Sequence, residues 1–431
     1  MFSEILRFEL RQQLKSPLFW MIAFAFGALA FAAAGSDNIQ IGGGIGNVHR
    51  NAPLVVINFL GFFTVLGMFL IAVFVAGAAL RDFEAGTAEL FFATPMSRSS
   101  YLGGRFAAGY LAALGVLIVV ALGLMLGVLM PWVDPERLGP TSIAGYAYGF
   151  AVIVLPNLFF IAAFLFLLAT LTRSMLGTYI GIIAFVVLLQ VAGQSMSGLD
   201  YRTLGALVDP FGLDPIALAT RYWSPQDRNT RLPELAGVLL ANRAIWMAVG
   251  ALLLAAAFAL FRPDREGLRL WRRKRGARSD AATATAPPAA AIVAPAVRLR
   301  ADNGARWTQF LKLAWFDTRG VLRGVAFLVM LAFGLLNLGG FLAFANQIYG
   351  TRVYPVTHLM TQAMGSSFNF LLLIIVAFYA GELVWRERSA RISDVTDAFP
   401  LPDFIPLLAK LVALAAVIVL FLLAGALECV I

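Results

Sequence analysis

Residues 81–105 read RDFEAGTAELFFATPMSRSSYLGGR, a charged stretch between two long apolar runs. Its charges are Arg81, Asp82, Glu84, Glu89, Arg98 and Arg105. Glu84 and Glu89, together with the apolar residues 90–92, predict a short amphipathic helix on a membrane surface. Pro95 is expected to end that helix, because the residue before a proline is pushed out of the helical conformation. The stretch therefore predicts a polar hairpin that a partner on the aqueous side can bind.

The composition is typical of a membrane protein that crosses the bilayer many times. Of the 431 residues, 60% are hydrophobic and only 13% are charged, whereas soluble domains carry roughly 25% charged residues. Several apolar runs exceed the roughly 18 residues that a membrane-spanning helix needs. The net charge of +9 is concentrated at the ends of these runs, which favours a role in membrane topology and argues against nucleic-acid binding.

Nine apolar runs predict an all-α polytopic fold with about nine transmembrane helices. They cover residues 17–34, 53–80, 106–131, 145–171, 176–193, 235–261, 324–345, 359–381 and 411–431. Residues 1–16 precede them with helical spacing, and we expect an interfacial helix with one apolar face and one charged face. The charged face includes Arg7, Glu9, Arg11 and Lys15. Three regions follow from this pattern: a transmembrane domain at 1–261, a linker at 262–305 and a second transmembrane domain at 306–431.

Loop charges predict the orientation of the chain. Residues 262–300 hold ten Lys and Arg against three acidic residues, so the positive-inside rule places this segment in the cytoplasm. Counting six spans back places the N-terminus and the 81–105 hairpin on the same side. Arg243 lies near the outer end of the sixth run. We interpret it as snorkelling to the interface, with contact to a transported substrate as the alternative.

The chain also repeats itself. A shift of 305 positions aligns a second hairpin, 382–410, with the first, pairing Arg81 with Arg386, Asp82 with Glu387, Pro95 with Pro400 and Arg105 with Lys410. A shift of 308 positions pairs Glu9 with Asp317. Charges and prolines that recur together indicate a duplication, and the six intervening spans make the copies parallel. Ile431 corresponds to Leu126, so we expect an incomplete second copy and a truncated chain.

The first hairpin resembles the loop after the second span of ABC-2-type transporter permeases. The matching residues are Glu84, Gly86, Thr87, Glu89, Leu90, Thr94, Pro95, Ser97, Arg98, Tyr101, Leu102, Gly104 and Arg105. The resemblance implies a six-span ABC-2-like bundle over 1–261 and a partial copy over 306–431. It also implies that residues 84–97 form a coupling helix docked in the cleft of a cytoplasmic ATPase, beside a gate helix at 1–16. Arg81 and Asp82 are predicted to belong to the ATPase-coupling residues as well.

The second hairpin departs from this pattern, because Ser389 replaces Glu84 and Ile392 replaces Thr87. Its candidate contact residues are Arg386, Glu387, Arg388, Asp394 and Pro400. Two equivalent hairpins in one compartment suit a two-fold partner, so a dimeric ATPase is predicted. Dimerisation of the chain, or pairing of its two permease halves, is compatible with this arrangement. The alternative for both hairpins is a solvated loop whose charges only set the topology.

No catalytic chemistry is predicted for this chain. It contains neither a Gly-x-x-x-x-Gly-Lys-Ser/Thr loop nor a His-Glu-x-x-His motif, so we expect no catalytic residue, metal ligand or cofactor, and ATP hydrolysis on a separate subunit. Asp209 and Asp214 are interpreted as solvated. Two other functions stay open: a membrane anchor for an enzyme, such as a zinc aminopeptidase, encoded in a missing C-terminal region, and an ion-driven transporter, which the scarcity of charges within the spans disfavours.

Overall fold

The computed structural model describes residues 1–36, 47–94, 96–196, 201–262, 303–345, 356–389, 393, 396, 402 and 404–430. The regular structure of these residues is entirely helical, which confirms the predicted all-α class. Predictions for Pro95, Asp394, Pro400 and linker residues 263–302 lie outside the described residues. The chain divides into two compact units, Met1–Arg269 and Leu270–Ile431.

The first unit contains thirteen α-helices among its described residues. They are α1 (Phe2–Lys15), α2 (Pro17–Gly35), α3 (Pro53–Leu66), α4 (Met68–Glu84), α5 (Ala88–Phe92), α6 (Arg98–Gly127), α7 (Ile143–Tyr148), α8 (Leu155–Thr172), α9 (Met175–Ser195), α10 (Arg202–Val208), α11 (Leu213–Ala219), α12 (Pro225–Thr230) and α13 (Gly237–Leu260). Short helices α10–α12 occupy the long polar segment between the fifth and sixth apolar runs.

Local sequence sets several of these boundaries. Pro17 and Pro53 start α2 and α3, because proline lacks the N–H that the first turn of a helix leaves unpaired anyway. The second apolar run is divided at Gly67, where α3 and α4 meet at a bend of 53°. A π-helical turn, Gly149–Val154, lies between α7 and α8, two residues before Pro156.

Helix α6 is central to the first unit and packs against α1, α2 and α4. Small residues allow the close approach to α2. A Cβ atom added to Gly127 would lie 2.9 Å from the Cβ of Ala34, so a larger residue would force the two backbones apart. Small residues at such contacts are usual between membrane helices, where burial from water does not drive association. This packing holds α1 and α4 beside the base of α6.

The described helices are consistent with a polytopic membrane protein. Five single helices are long and apolar enough to span a bilayer, and three bent pairs raise the number to eight if each pair is one span. The pairs are Pro53–Leu66 with Met68–Glu84, Arg306–Leu322 with Phe327–Gly340, and Met360–Asn369 with Leu371–Arg388. Gly177–Gly193 is a shorter apolar helix within the predicted fifth span.

The second unit consists of four described helices, α14 (Asn303–Leu322), α15 (Val325–Ala345), α16 (Thr357–Ser389) and α17 (Phe404–Val430). Helix α17 packs against each of the other three. Its buried Phe421 contacts Phe368, with ring centroids 4.7 Å apart, and Phe327 at 6.4 Å. Helix α16 runs through Arg386 and Glu387, so the first part of the predicted second hairpin is helical.

Candidate functional site

The charged hairpin is a short helix between two long ones. Helix α4 ends at Glu84, Gly86 takes a left-handed conformation with φ of +68°, and α5 follows over Ala88–Phe92. Helix α6 then begins at Arg98, where the Ser97 hydroxyl oxygen accepts a hydrogen bond from the backbone N–H of Ser100 at 3.3 Å. A serine in this position satisfies one of the unpaired N–H groups of the first helical turn.

Helix α5 is anchored by one aromatic side chain and exposes the rest. The Phe92 ring packs inward against Tyr101 at 5.1 Å and Phe261 at 5.9 Å between ring centroids. Glu84 and Glu89 are exposed. Leu90 is 71% exposed, which is high for a leucine. The outer surface formed by α5 and the end of α4 therefore combines two carboxylates, Glu84 and Glu89, with an uncovered apolar side chain, Leu90.

Beneath α5 lie four charged side chains from three helices: Glu9 of α1, Arg81 and Asp82 of α4, and Arg105 of α6. We call them the first quartet. Arg81 Nη1 lies 2.5 Å from Glu9 Oε2, and Arg105 Nη1 lies 2.9 Å from Glu9 Oε1. Arg105 Nη2 pairs with Asp82 Oδ2. Two positive and two negative charges thus compensate each other and join α1, α4 and α6.

Burial makes the first quartet sensitive to the loss of any member. The side chain of Glu9 is 0% exposed and that of Arg105 is 3% exposed. Burial raises the pKa of the Glu9 carboxyl above its ordinary value, although Arg105 and Arg81 act to lower it. The predicted position of Glu9 on the solvent-facing side of α1 is wrong. It faces the bundle because two arginines there compensate its charge.

Three further groups surround the first quartet and were not predicted from the sequence. The Tyr101 hydroxyl donates a hydrogen bond to Asp82 Oδ2 at 2.8 Å. Arg105 Nη1 also donates to the carbonyl oxygen of Ala78 at 2.6 Å. On α1, Gln13 Nε2 donates to the carbonyl oxygen of Phe74 at 3.2 Å. Gln13 lies one turn after Glu9, so the buried polar side chains of α1 both face the bundle.

The other predicted residues lie around this centre, not within it. Arg7, Arg11 and Lys15 are exposed on α1, and Arg98 is exposed at the start of α6. The backbone N–H of Thr87 donates to the carbonyl oxygen of Asp82 at 2.9 Å and closes the turn before α5. After α5, the Thr94 hydroxyl donates to the carbonyl oxygen of Phe91 at 2.6 Å.

The second unit contains the matching charges, which we call the second quartet: Asp317, Arg386, Glu387 and Lys410. Arg386 Nη2 lies 2.8 Å from Asp317 Oδ1, and Lys410 Nζ lies 3.0 Å from Glu387 Oε1. These pairs join the residues that the shifts of 308 and 305 positions align with the first quartet. Two of the three ion pairs of the first quartet, Arg81–Glu9 and Arg105–Asp82, thus have counterparts in the second unit, which supports the predicted duplication. Arg388 lies beside this quartet, exposed, with its guanidinium over the Trp385 ring.

A second polar cluster surrounds Arg243 in α13. Arg243 is 5% exposed, so its interpretation as a snorkelling residue is wrong. Its Nη1 donates to Asn157 Oδ1 at 2.7 Å, its Nε to Asn242 Oδ1 at 2.9 Å and its Nη2 to the Pro210 carbonyl oxygen at 3.2 Å. Asn157 and Asn242 supply the buried acceptors that the guanidinium needs. Tertiary contacts thus hold this arginine inside the unit.

The Arg243 cluster fixes the chain between α10 and α11. Asn242 Nδ2 donates to the carbonyl oxygens of Ala206 and Asp209, each at 2.7 Å. Asn157 Nδ2 donates to the carbonyl oxygen of Phe211 at 2.9 Å. Together with the Arg243 bond to the Pro210 carbonyl oxygen, these bonds hold four carbonyl groups between residues 206 and 211. The donors are three side chains, one from α8 and two from α13.

Gly212 provides a test of how closely this segment is packed. It has φ of +74°, and an added Cβ would collide with the Arg243 guanidinium. Gly237 has φ of +54° but open space around its Cβ position. We expect Gly237→Ala to lower the free energy of unfolding by about 1 kcal/mol, the cost of the left-handed conformation. Gly212→Ala should lower it by about 2 kcal/mol because it adds a steric clash. Denaturant unfolding measures both, and equal losses would contradict the close packing.

Within the described residues, no group of three or more His, Cys, Asp or Glu side chains is placed to hold a metal ion.

One comparison with known proteins gives a match, and it points to transport. The family described as ABC-2 family transporter protein matches residues 3–264, which include both polar clusters of the first unit. No curated protein and no solved structure gives a significant match.

Proposed function

Because the chain belongs to the ABC-2 family of transporter proteins, we propose that it is the permease subunit of an ATP-driven exporter in a bacterial inner membrane. A separate cytoplasmic ATPase, acting as a dimer, supplies the energy. The N-terminus and the hairpin at 81–105 lie on the cytoplasmic side in this proposal. The exposed surface formed by Glu84 at the end of α4 and by Glu89 and Leu90 of α5, called the α5 surface, is the ATPase contact.

The observation that carries this proposal is the combination of an exposed α5 with the buried ion pairs beneath it. A docking element needs accessible charged and apolar groups, and α5 has both. It also needs a rigid connection to the spans. The first quartet provides one, since Arg105 pairs with Glu9 of α1 and with Asp82 of α4. A solvated loop that only sets topology requires no such connection.

The proposed mechanism transmits force from α5 to three helices at once. ATP binding brings the two ATPase subunits together and displaces α5. Because Phe92 packs against Tyr101 and Phe261, movement of α5 acts on α6 and on the end of α13. The ion pairs extend that movement to α1 and α4, and the bend at Gly67 is a place where α4 can turn relative to α3. Binding energy at the ATPase thereby shifts the balance between two arrangements of the spans.

The second hairpin has a weaker role in this proposal. It contributes Arg386, Glu387 and Lys410 to the second quartet, whose two ion pairs join α14 to α16 and α16 to α17. It lacks the acidic residue that corresponds to Glu84, because Ser389 occupies that position. We therefore assign the tighter ATPase contact to the first hairpin. Pairing of the two permease halves, or of two chains, would present the hairpins to the two ATPase subunits.

The proposal is tested by reversing the charges on α5. Glu84→Arg combined with Glu89→Arg should reduce the ATPase that co-purifies with the tagged full chain by at least about tenfold, because like charges at an interface suppress binding. The measurement is ATP hydrolysis in the purified sample, with mass spectrometry to identify a subunit that contains a Walker A sequence. Both residues are exposed, so the variant should retain its fold.

A matched control reverses the charge of two acidic residues at the opposite end of the unit. Glu136→Arg combined with Glu234→Arg makes the same change in net charge at exposed positions, in loops that the same count of spans places on the outer side of the membrane. This control should keep the ATPase at the unmodified level. Equal co-purification with the α5 variant and with the unmodified chain would refute docking at α5. Equal loss in both double variants would mean that net charge, and not the α5 surface, governs association.

A further inference from the structure

A cavity of about 620 Å³ lies between α9, α10 and α11 in the first unit. One wall is apolar and includes Val65, Val186, Leu189 and Phe211. Gln190 of α9 and Ala217 of α11 also line it and are exposed, so the cavity is accessible from outside the protein. Its volume lies within the range of roughly 300–1,000 Å³ that is usual for small-molecule sites.

Two arginines line the same cavity. Arg202 is the first residue of α10, and Arg221 follows α11. Within the described part of the chain, neither guanidinium is paired with a carboxylate; Arg221 lies over the ring of its neighbour Tyr222, at 5.3 Å from the ring centroid. Guanidinium groups bind phosphate and carboxylate in a bidentate manner. Both side chains are thus available to a negatively charged group in the cavity.

Of the two acidic residues in the lining, Asp209 has both of its carboxylate oxygens engaged by backbone N–H groups. Asp209 Oδ1 accepts a hydrogen bond from the backbone N–H of Phe211 at 2.8 Å, and its Oδ2 accepts one from that of Asp214 at 2.9 Å. The Asp214 side chain is exposed, and loss of solvent together with the nearby Asp209 raises the pKa of its carboxyl above its ordinary value. Arg202 and Arg221 are therefore the side chains of the lining that can donate charge-assisted hydrogen bonds to an anion.

The floor of the cavity is rigid. Ala206, Asp209, Pro210 and Phe211 belong to the lining, and the Arg243 cluster holds the carbonyl groups of all four. A site with a fixed floor is preorganised, because its shape does not have to be created on binding. This feature distinguishes the cavity from a gap between loosely packed surface helices.

We propose that this cavity binds an amphiphile with an anionic headgroup, whose phosphate or carboxylate contacts Arg202 and Arg221 and whose alkyl chain lies against Val65, Val186 and Leu189. The ligand is a lipid of the bilayer or a single-chain amphiphile taken up from water, since both have this chemistry. The proposal goes beyond the function assigned above and does not depend on the ATPase, because binding is measured on the isolated chain.

The test measures ligand binding to the purified full chain by native mass spectrometry. The probes are phosphatidylglycerol, phosphatidylcholine with the same acyl chains, and dodecyl phosphate. We expect phosphatidylglycerol or dodecyl phosphate to bind at least about tenfold more tightly than phosphatidylcholine, the effect of one or more charge-assisted hydrogen bonds. Binding of phosphatidylglycerol identifies a bilayer lipid, and binding of dodecyl phosphate alone identifies a single-chain ligand. Equal affinity for all three probes, or no binding, would overturn the proposal.

Variants locate the site. Arg202→Gln combined with Arg221→Gln should weaken binding of the anionic probe at least about tenfold. Arg228→Gln combined with Arg231→Gln removes the same charge from a neighbouring segment outside the lining and should leave binding unchanged. Ala217→Phe keeps both arginines and fills the cavity from an exposed position, so it should also weaken binding. Unchanged binding in both cavity variants would overturn the assignment, and Ala217→Phe decides the matter if the double arginine variant fails to fold.

Discussion

Arg105→Ala is expected to lower the free energy of unfolding by about 3–5 kcal/mol, the usual loss when one partner of a buried ion pair is removed. Arg105 compensates both Glu9 and Asp82, and all three side chains are buried. Without it, Arg81 alone faces two carboxylates. The chain then has to keep a negative charge in a poorly solvated place or bind a proton there.

The pH dependence of this loss follows from the Glu9 carboxyl. Burial already raises its pKa with both arginines present, and removal of Arg105 should raise it further. A carboxyl with a raised folded-state pKa destabilises the fold when ionised, so stability is lost as the pH rises through that pKa. The loss of unfolding free energy in Arg105→Ala, relative to the unmodified chain, should therefore be larger at about pH 7 than at about pH 5, where Glu9 is more often protonated.

The matched control is Arg98→Ala, which removes an exposed arginine from the start of the same helix. It should change the free energy of unfolding by less than about 0.5 kcal/mol, as is usual for surface positions. Unfolding of the purified chain in mixed micelles measures both variants at the two pH values. Similar stabilities for Arg105→Ala and Arg98→Ala would mean that the first quartet does not hold α1, α4 and α6 together.

Much of the fold follows from the sequence because hydrophobicity acts locally. Continuous apolar runs are enough to predict membrane-spanning helices, and the interruption at 81–105 is enough to predict the hairpin. The repeat goes further. It aligns Glu9 with Asp317 and Arg105 with Lys410 before any contact is known. Each of these four residues takes part in an ion pair within its own unit. Charges of the same sign that recur in the repeat thus indicated which residues take part in ion pairs.

The errors have a common physical cause. Helical periodicity places Glu9 on the charged face of α1, and hydropathy places Arg243 at the end of a span. Neither pattern records that another helix presents a compensating group at that position. Two arginines from α4 and α6 made burial of Glu9 possible, and two asparagines with a backbone carbonyl made burial of Arg243 possible. The cavity beside α9 was not predicted for the same reason, since three separate segments build it.

Arg243→Met is expected to lower the free energy of unfolding by about 3 kcal/mol. Methionine has a similar length and suits an apolar site, so the main loss is electrostatic. Three buried acceptors lose their donor: Asn157 Oδ1, Asn242 Oδ1 and the Pro210 carbonyl oxygen. Each unsatisfied buried group costs about 1–3 kcal/mol. Relief from desolvation of the guanidinium offsets part of the sum.

Arg243→Lys should recover little of this stability, because an ammonium group cannot reproduce the planar set of donors that reaches Asn157, Asn242 and Pro210 together. Arg231→Met is the matched control, since it removes an arginine that is 69% exposed from the segment before α13. The control should unfold like the unmodified chain. Full recovery of stability by lysine would show that the charge of Arg243, and not its hydrogen-bond geometry, is what the fold requires.

The position of the backbone amides whose exchange becomes faster shows whether Arg243 stabilises one segment or the whole unit. Asn157 and Asn242 also hold the carbonyl groups of residues 206, 209 and 211, so disturbing them should release the segment between α10 and α11. Hydrogen exchange of the backbone amides in residues 202–219 should then become faster in Arg243→Met, while exchange in α6 stays as in the unmodified chain. Uniformly faster exchange would indicate general destabilisation. Exchange and unfolding like those of the unmodified chain would refute the idea that Arg243 secures the floor of the cavity.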